Sequence, residues 1–147
     1  MIFYEKLAKE FACLSMPILF PQKYILYLLT SNSGIMDNTI KYQKAILDLF
    51  QEYDKFWGNS GGLQNRIVAD TKRHAYVLIS FGWRKNQSYT HLLCFHLQII
   101  NGKIWIHENN TEAMIADELM EKGVAQEDIV LGFLEPETRV HSGFAVA

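Results

Sequence analysis

An Asn101-Gly102 pair lies between two apolar, β-prone runs, and it constrains the fold of this chain more than any other feature. Asn-Gly favours a two-residue type I′ hairpin turn, because both residues accept positive φ, and such a turn sets strand register. Counting outward pairs Ile100 with Lys103, Ile99 with Ile104, Gln98 with Trp105, Leu97 with Ile106 and His96 with His107. Side chains alternate along a strand, so register assigns faces. Leu97, Ile99, Ile104 and Ile106 then share a core face, while His96, Gln98, Trp105 and His107 share the opposite one.

The neighbouring segments extend this hairpin into a meander. Strands are expected over Leu63–Asp70, Ala75–Trp83, Tyr89–Ile100 and Lys103–His107, with turns at Thr71-Lys72-Arg73 and Arg84-Lys85-Asn86-Gln87. Upstream, Ile40, Ala45 or Ile46, Leu49, Phe50, Tyr53 and Phe56 or Trp57 recur at helical spacing. Asp37 or Asn38 can cap that helix, and Gly58-Asn59-Ser60-Gly61-Gly62 ends it. Downstream, a short helix is expected to open at Asn110 or Thr111, with Glu112 in its first turn, and to stop at Gly123. Ile129–Phe133 reads as a short strand, Pro136 as a loop, and Phe144–Val146 as a last edge. The fold class is α+β: a long N-terminal helix packed on a four-stranded antiparallel meander, then a short helix and a small C-terminal β/loop segment.

Val77, Ile79, Phe81 and Trp83 alternate with Tyr76 and Leu78, so the second strand is apolar on both sides and needs two covers. The long helix can supply one. The other falls to the short helix, the N-terminal arm or a second protomer, and a homo-oligomer or a protein partner is therefore expected.

Hydrophobic residues make up 49% of 147, enough for one domain with a proper core. Charge is uneven. Residues 64–107 hold six basic side chains against Asp70 alone, a net of +5, and residues 108–147 hold Lys122 and Arg139 against nine acids, a net of -7. Such a distribution argues against a whole-chain polyanion binder. Cys13 and Cys94 have no spacing motif and read as free thiols in a reducing, cytoplasmic setting. No apolar run reaches the eighteen residues of a spanning helix, and Glu5, Glu10 and Pro17 interrupt any secretory signal. Residues 1–35 differ from the rest: Ile2, Phe3, Leu7, Phe11 and Leu14 recur at helical spacing, Tyr24–Leu29 is a short β-prone run, and Thr30–Gly34 is a polar linker. They read as an extension upstream of a start at Met36, the alternative being an arm for a partner or a membrane surface.

Candidate sites are few. His96 and His107 could share a metal ion, but a stable zinc site needs a third or fourth ligand, and Cys94, opposite Asn109 in this register, is the only local candidate. A hydrogen-bonded polar pair on a sheet face explains them as well. Trp83 and Trp105 are either core or anchors for a partner. The candidate interface is thus Trp105, His96, His107 and Gln98. Lys72, Arg73 and Lys103 are weak candidates for phosphate contact, since they lie a strand length from Arg84 and Lys85. Glu112, Asp117, Glu118 and Glu121 read as a solvated helix face, Asn109-Asn110-Thr111 as capping residues, and Ser80 lacks a hydrolase setting. Neither catalytic residues nor a cofactor or metal is assigned.

Met36-Asp37, Tyr42, Leu49, Glu52-Tyr53, Asp70-Thr71, Gly82-Trp83, His96 and Asn101–Ile106 occur in a recognisable order. Thr111-Glu112, Ile115-Ala116, Glu118-Leu119, Gly123-Val124, Asp128–Phe133, Pro136, Arg139 and Phe144–Ala147 continue it. With these residues the chain resembles, over 36–147, the fdxN-element excision controlling factors, the XisI-like proteins of cyanobacteria. It departs at His107, where glutamine is more usual, at Ala125, where proline is common, and at Asn109-Asn110, which replaces an Asp-Gly-like turn. The resemblance implies a non-catalytic accessory factor in programmed excision of a DNA element, acting with a site-specific recombinase and an XisH-like protein. Direct DNA binding that positions the recombinase is the alternative, and a small metal-dependent enzyme built on His96 and His107 a more distant one.

Overall fold

The helical spacing that begins near Asn38 belongs to α1 (Gln22–Trp57). The computed structural model describes residues 22–147, with side chains from Asn38 onward apart from Ser60. The apolar spacing from Ile2 to Leu14, and Cys13, lie outside the described residues. Tyr24–Leu29 and Thr30–Gly34, expected as a β-prone run and a linker, fall inside α1. Leu, Tyr and Ile serve a helix as readily as a strand, so six residues carry too little periodicity to choose. Residues Ser33–Ala147 form one compact unit, which holds the whole sheet.

Along α1, Tyr42, Ala45, Ile46, Leu49 and Phe50 are buried on one stripe. Complete burial of each large apolar side chain contributes about 1.5–3 kcal/mol, so this stripe is what holds the helix to the sheet. Strands β1 (Leu63–Asp70), β2 (Ala75–Trp83) and β3 (Tyr89–Ile100) have the expected bounds, while β4 (Lys103–Asn109) runs two residues further. Asn101 and Gly102 both have positive φ, 51 and 77, as the type I′ turn requires. At the other end of the sheet, a Cβ on Gly82 would stand 2.3 Å from the carbonyl oxygen of Gly62, so only glycine lets β1 and β2 close there.

The sheet has five strands in the order β1-β2-β3-β4-β5, which corrects the expected four-stranded antiparallel meander. β5 (Ile129–Leu131) pairs parallel to β4. A helix lies between them, and a strand–helix–strand crossover brings the second strand back in the direction of the first, where a hairpin would reverse it. That crossover helix, α2 (Ile115–Glu121), starts later than expected. Asn109 and Thr111 make a turn ahead of it: the Thr111 N–H and hydroxyl both donate to Asn109 Oδ1, at 3.1 and 2.9 Å, and Asn109 Nδ2 donates to the Ala113 carbonyl. Gly123 follows α2 with φ 85, as a helix stop should. Pro136, expected in a loop, opens a single helical turn, α3 (Pro136–Arg139), a position where its missing N–H costs nothing.

The short helix does not cover the second face of the sheet. Ile115 and Leu119 of α2 join the same buried cluster as Leu49, Phe50, Leu78, Phe95, Leu97 and Ile106. The Tyr53 hydroxyl donates to Glu118 at 2.5 Å and Lys122 pairs with Glu52 at 2.7 Å, so α1 and α2 lie side by side. Glu118, expected on a solvated face, is thus taken up by α1. A second such tie, from the Tyr42 hydroxyl to Asp128 at 2.5 Å, fixes the turn before β5.

Candidate contact surface

Two bulges decide what is presented by the face of the sheet that, among the described residues, neither α1 nor α2 covers. Ile100↔Lys103 to Leu97↔Ile106 pair as the Asn-Gly turn dictates, then the register shifts, and His96 stands opposite Glu108 rather than His107. His107 is the extra residue, so the expected His96–His107 cross-strand pair is not formed. A bulge inserts one unpaired residue and re-aims the side chains beyond it. The rings nevertheless stay close, with centroids 4.9 Å apart.

The second bulge is on β3. Leu78 pairs with Phe95 and Ile79 with Leu93, leaving Cys94 between them. Straight alternation from His96 would carry Cys94 onto the histidine face. Instead Cys94 is buried on the helix-covered side, at a cleft of about 230 Å³ lined by Trp57, Leu63, Asn65, Ser80 and Thr111. Phe95, not Cys94, stands opposite Asn109. The third ligand that a metal reading needed therefore points away. Among the described residues no cluster of three His, Cys, Asp or Glu forms. Burial pushes the Cys94 thiol up, outweighing a hydrogen bond with the Ser80 backbone, so it stays protonated and is a poor nucleophile.

The same bulge brings Leu93, His91 and Tyr89 onto the open face, which a period-two count from the Asn-Gly turn puts on the other side. They continue a field of apolar and aromatic side chains. Val77, Ile79, Phe81 and Trp83 come from β2, Val68 from β1, and Trp105 with His107 from β4. Trp83, Tyr89 and Val68 remain 65%, 54% and 50% exposed. Trp83 and Tyr89 pack edge to face at 5.3 Å, and Arg66 lies 5.7 Å over the Phe81 ring. The exposed part of the face lies toward β1 and the β2–β3 turn; at β5 it is closed, since Val130, opposite Trp105, is fully buried and Arg139 lies over the Trp105 ring.

All four residues of the expected interface lie on this face. Trp105 is half-buried, stacked near His107 at 6.1 Å and roofed by the Arg139 guanidinium at 5.1 Å. Arg139, to which residue spacing gave no role on this face, is held there because it donates to the carbonyls of Leu134 and Val146 at 2.9 and 3.2 Å. Gln98 Nε2 reaches the Arg73 carbonyl at 3.4 Å. Burial lowers the His107 pKa most, followed by the nearness of His96 and then Arg139. His107 is therefore neutral at pH 7.

The basic residues do not gather. Lys72 and Arg73 lie in the β1–β2 turn, where Arg73 pairs with Asp70 at 3.0 Å. Lys103 follows the β3–β4 turn and donates to Ala147. Arg84 and Lys85 stand at the far end of the sheet. No helix among the described residues is long and apolar enough to cross a membrane.

Comparison with known proteins matches this architecture. The chain is similar to a solved XisI-like protein from Anabaena variabilis ATCC 29413, with 31% identity over 74% of this chain and 99% of that one, TM-score 0.68. It is similar also to the solved fdxN element excision controlling factor XisI from the same organism, with 32% identity over 75% and 99%, TM-score 0.64. No curated protein matches. The family model for XisI protein matches residues 36–146, and the chain belongs to that family.

Proposed function

We propose that this protein is a non-catalytic accessory factor controlling excision of a DNA element by a site-specific recombinase. It acts in the cytoplasm through protein contacts with an XisH-like partner, and the open sheet face is its contact surface. Family membership and a solved relative named as an excision controlling factor support the regulatory role. The observation that carries the contact reading is the field around Phe81, Trp83 and Tyr89, with half-buried Trp105 beside it, on the side of the sheet opposite the one packed under α1 and α2. Large aromatics on such a surface are the side chains that dominate binding energy when a partner buries them. The weak phosphate candidates do not converge with it, since Arg73 and Lys103 already have partners.

Co-expression with an XisH-like protein tests this reading. The two should co-purify, and Trp105→Ala or Phe81→Ser should raise the dissociation constant roughly thirtyfold, as loss of an anchor worth about 2 kcal/mol requires. Unchanged binding by both variants would remove the face from the mechanism. Strongly salt-dependent binding of this chain alone to duplex DNA would favour a direct DNA role instead.

A further inference from the structure

We propose that two copies of this chain join through β1, antiparallel about a two-fold axis at Ile67, so that two five-stranded sheets become one. The two edges of the sheet are treated differently. Beyond β5 the chain covers its own edge: Val130 bridges to Ala145, whose N–H donates to the Ile129 carbonyl at 2.9 Å. Among the described residues no strand lies beyond β1, and Leu63–Asp70 make no further backbone hydrogen bond outside the ladder to β2. Carrying the hydrogen-bond alternation from the Ile100–Lys103 turn pair across the ladder shows which groups are free. The N–H and C=O groups of Leu63, Asn65, Ile67 and Ala69 are directed outward.

An open edge of this kind is a template for another strand, and natural sheets normally guard it with proline, bulges or charge. β1 has no proline and pairs with β2 without a register shift. Arg66 is its one charge before the final Asp70, which is already held by Arg73 and the Lys72 and Arg73 amides.

Its sequence matches itself. Two antiparallel registers pair seven residues of each β1 and keep faces aligned, one centred on Ile67 and one on Arg66. The second sets two guanidinium groups directly opposite, which is unfavourable. In the first, Arg66 stands opposite Val68 of the second copy and Gln64 opposite Asp70. Arg66 then lies diagonal to the second copy's Arg66 and to its Asp70, so a carboxylate meets its charge. The pairing leaves the open face of both copies in one continuous surface, and it stands or falls independently of the partner reading above.

Light scattering on the full chain, with circular dichroism as a fold control, tests the pairing. The wild type should be a dimer at about 100 µM. Ala69→Pro removes an outward N–H at an exposed edge position, where the sheet itself tolerates proline, and should give a folded monomer. Val68→Lys, which sets an ammonium against each Arg66, should raise the dimer dissociation constant about tenfold or more. Adding Arg66→Glu should restore it, because that exchange converts both repulsions to ion pairs only in the Ile67 register. A monomeric wild type overturns the pairing, and so does a dimer indifferent to Ala69→Pro. A dimer lost on Phe81→Ser but not on Ala69→Pro places self-association on the open face and overturns it as well. A monomer that still co-purifies with the XisH-like protein sinks this pairing and leaves the partner reading intact.

Discussion

The two faces of the sheet are made from the same strands and similar side chains, yet they carry opposite physics. On one face Leu78, Phe95, Leu97, Ile104 and Ile106 lie under α1 and α2 with essentially no exposure. On the other, Ile79, Phe81, Leu93 and Trp105 keep part of their surface in water, and Trp83 keeps most of it. Composition does not separate them; cover does. The difference teaches that stability and contact are assigned to different sides of one layer, and that substitutions should sort by face rather than by residue type.

Breaking the covered face should show the largest effect. Leu49→Ala or Phe50→Ala removes a completely buried side chain, and each should cost about 3–5 kcal/mol in denaturant unfolding. An equally severe change on the open side, Trp83→Ser, should stay below about 1 kcal/mol, because little burial is lost. Similar losses on the two faces would dissolve the contrast.

The ties between helices and sheet sharpen it at high pH. Burial, then the bond to Asp128, pushes the Tyr42 pKa up to about 12. Burial, then Glu118, raises Tyr53 as well. A raised folded-state pKa means that the unfolded chain ionises first. This stability is therefore complete below about pH 10. It should drain away as pH rises toward the folded value, and Tyr42→Phe with Tyr53→Phe should flatten that alkaline decline.

The smallest effect concerns His107. Its folded pKa is depressed by burial first, then by His96 and Arg139. By the same linkage its contribution is present above the unfolded histidine value and lost as pH falls through the folded one. His107→Gln, which keeps hydrogen-bonding capacity without a titratable ring, should weaken the acid sensitivity of partner binding while leaving unfolding at pH 7 nearly unchanged. A profile identical to the wild type would mean that this ring is not in the contact.

Much of this architecture was legible from residues 63 to 109. The Asn-Gly turn set the first four β3–β4 pairs, and alternation named Leu97, Ile99, Ile104 and Ile106 as core. Legibility failed at particular atoms. Nothing in the letters around Cys94 or His107 announces a bulge, because a bulge is chosen by how the strand must twist to fit its neighbours. One inserted residue at each place moved Cys94 to the covered side, brought Leu93, His91 and Tyr89 to the open side, and replaced His107 by Glu108 opposite His96. Arg139 reached Trp105 through a fold-back of the C-terminal segment that carries no local signal.

By itself the sequence determined what is periodic and short-range: the α1 stripe, the bounds of β1, β2 and β3, the hairpin turn and the α+β class. These follow from side-chain spacing and from the φ that Asn101 and Gly102 accept. Tertiary structure alone decided which elements share a side. α2 could have roofed the histidine face, but the parallel return of β5 put it beside α1, where Glu118 meets Tyr53. The physical reason is that an amphipathic element specifies that one face must be buried, and never against what; the layer it joins is settled by chain connection and by the partners already in place.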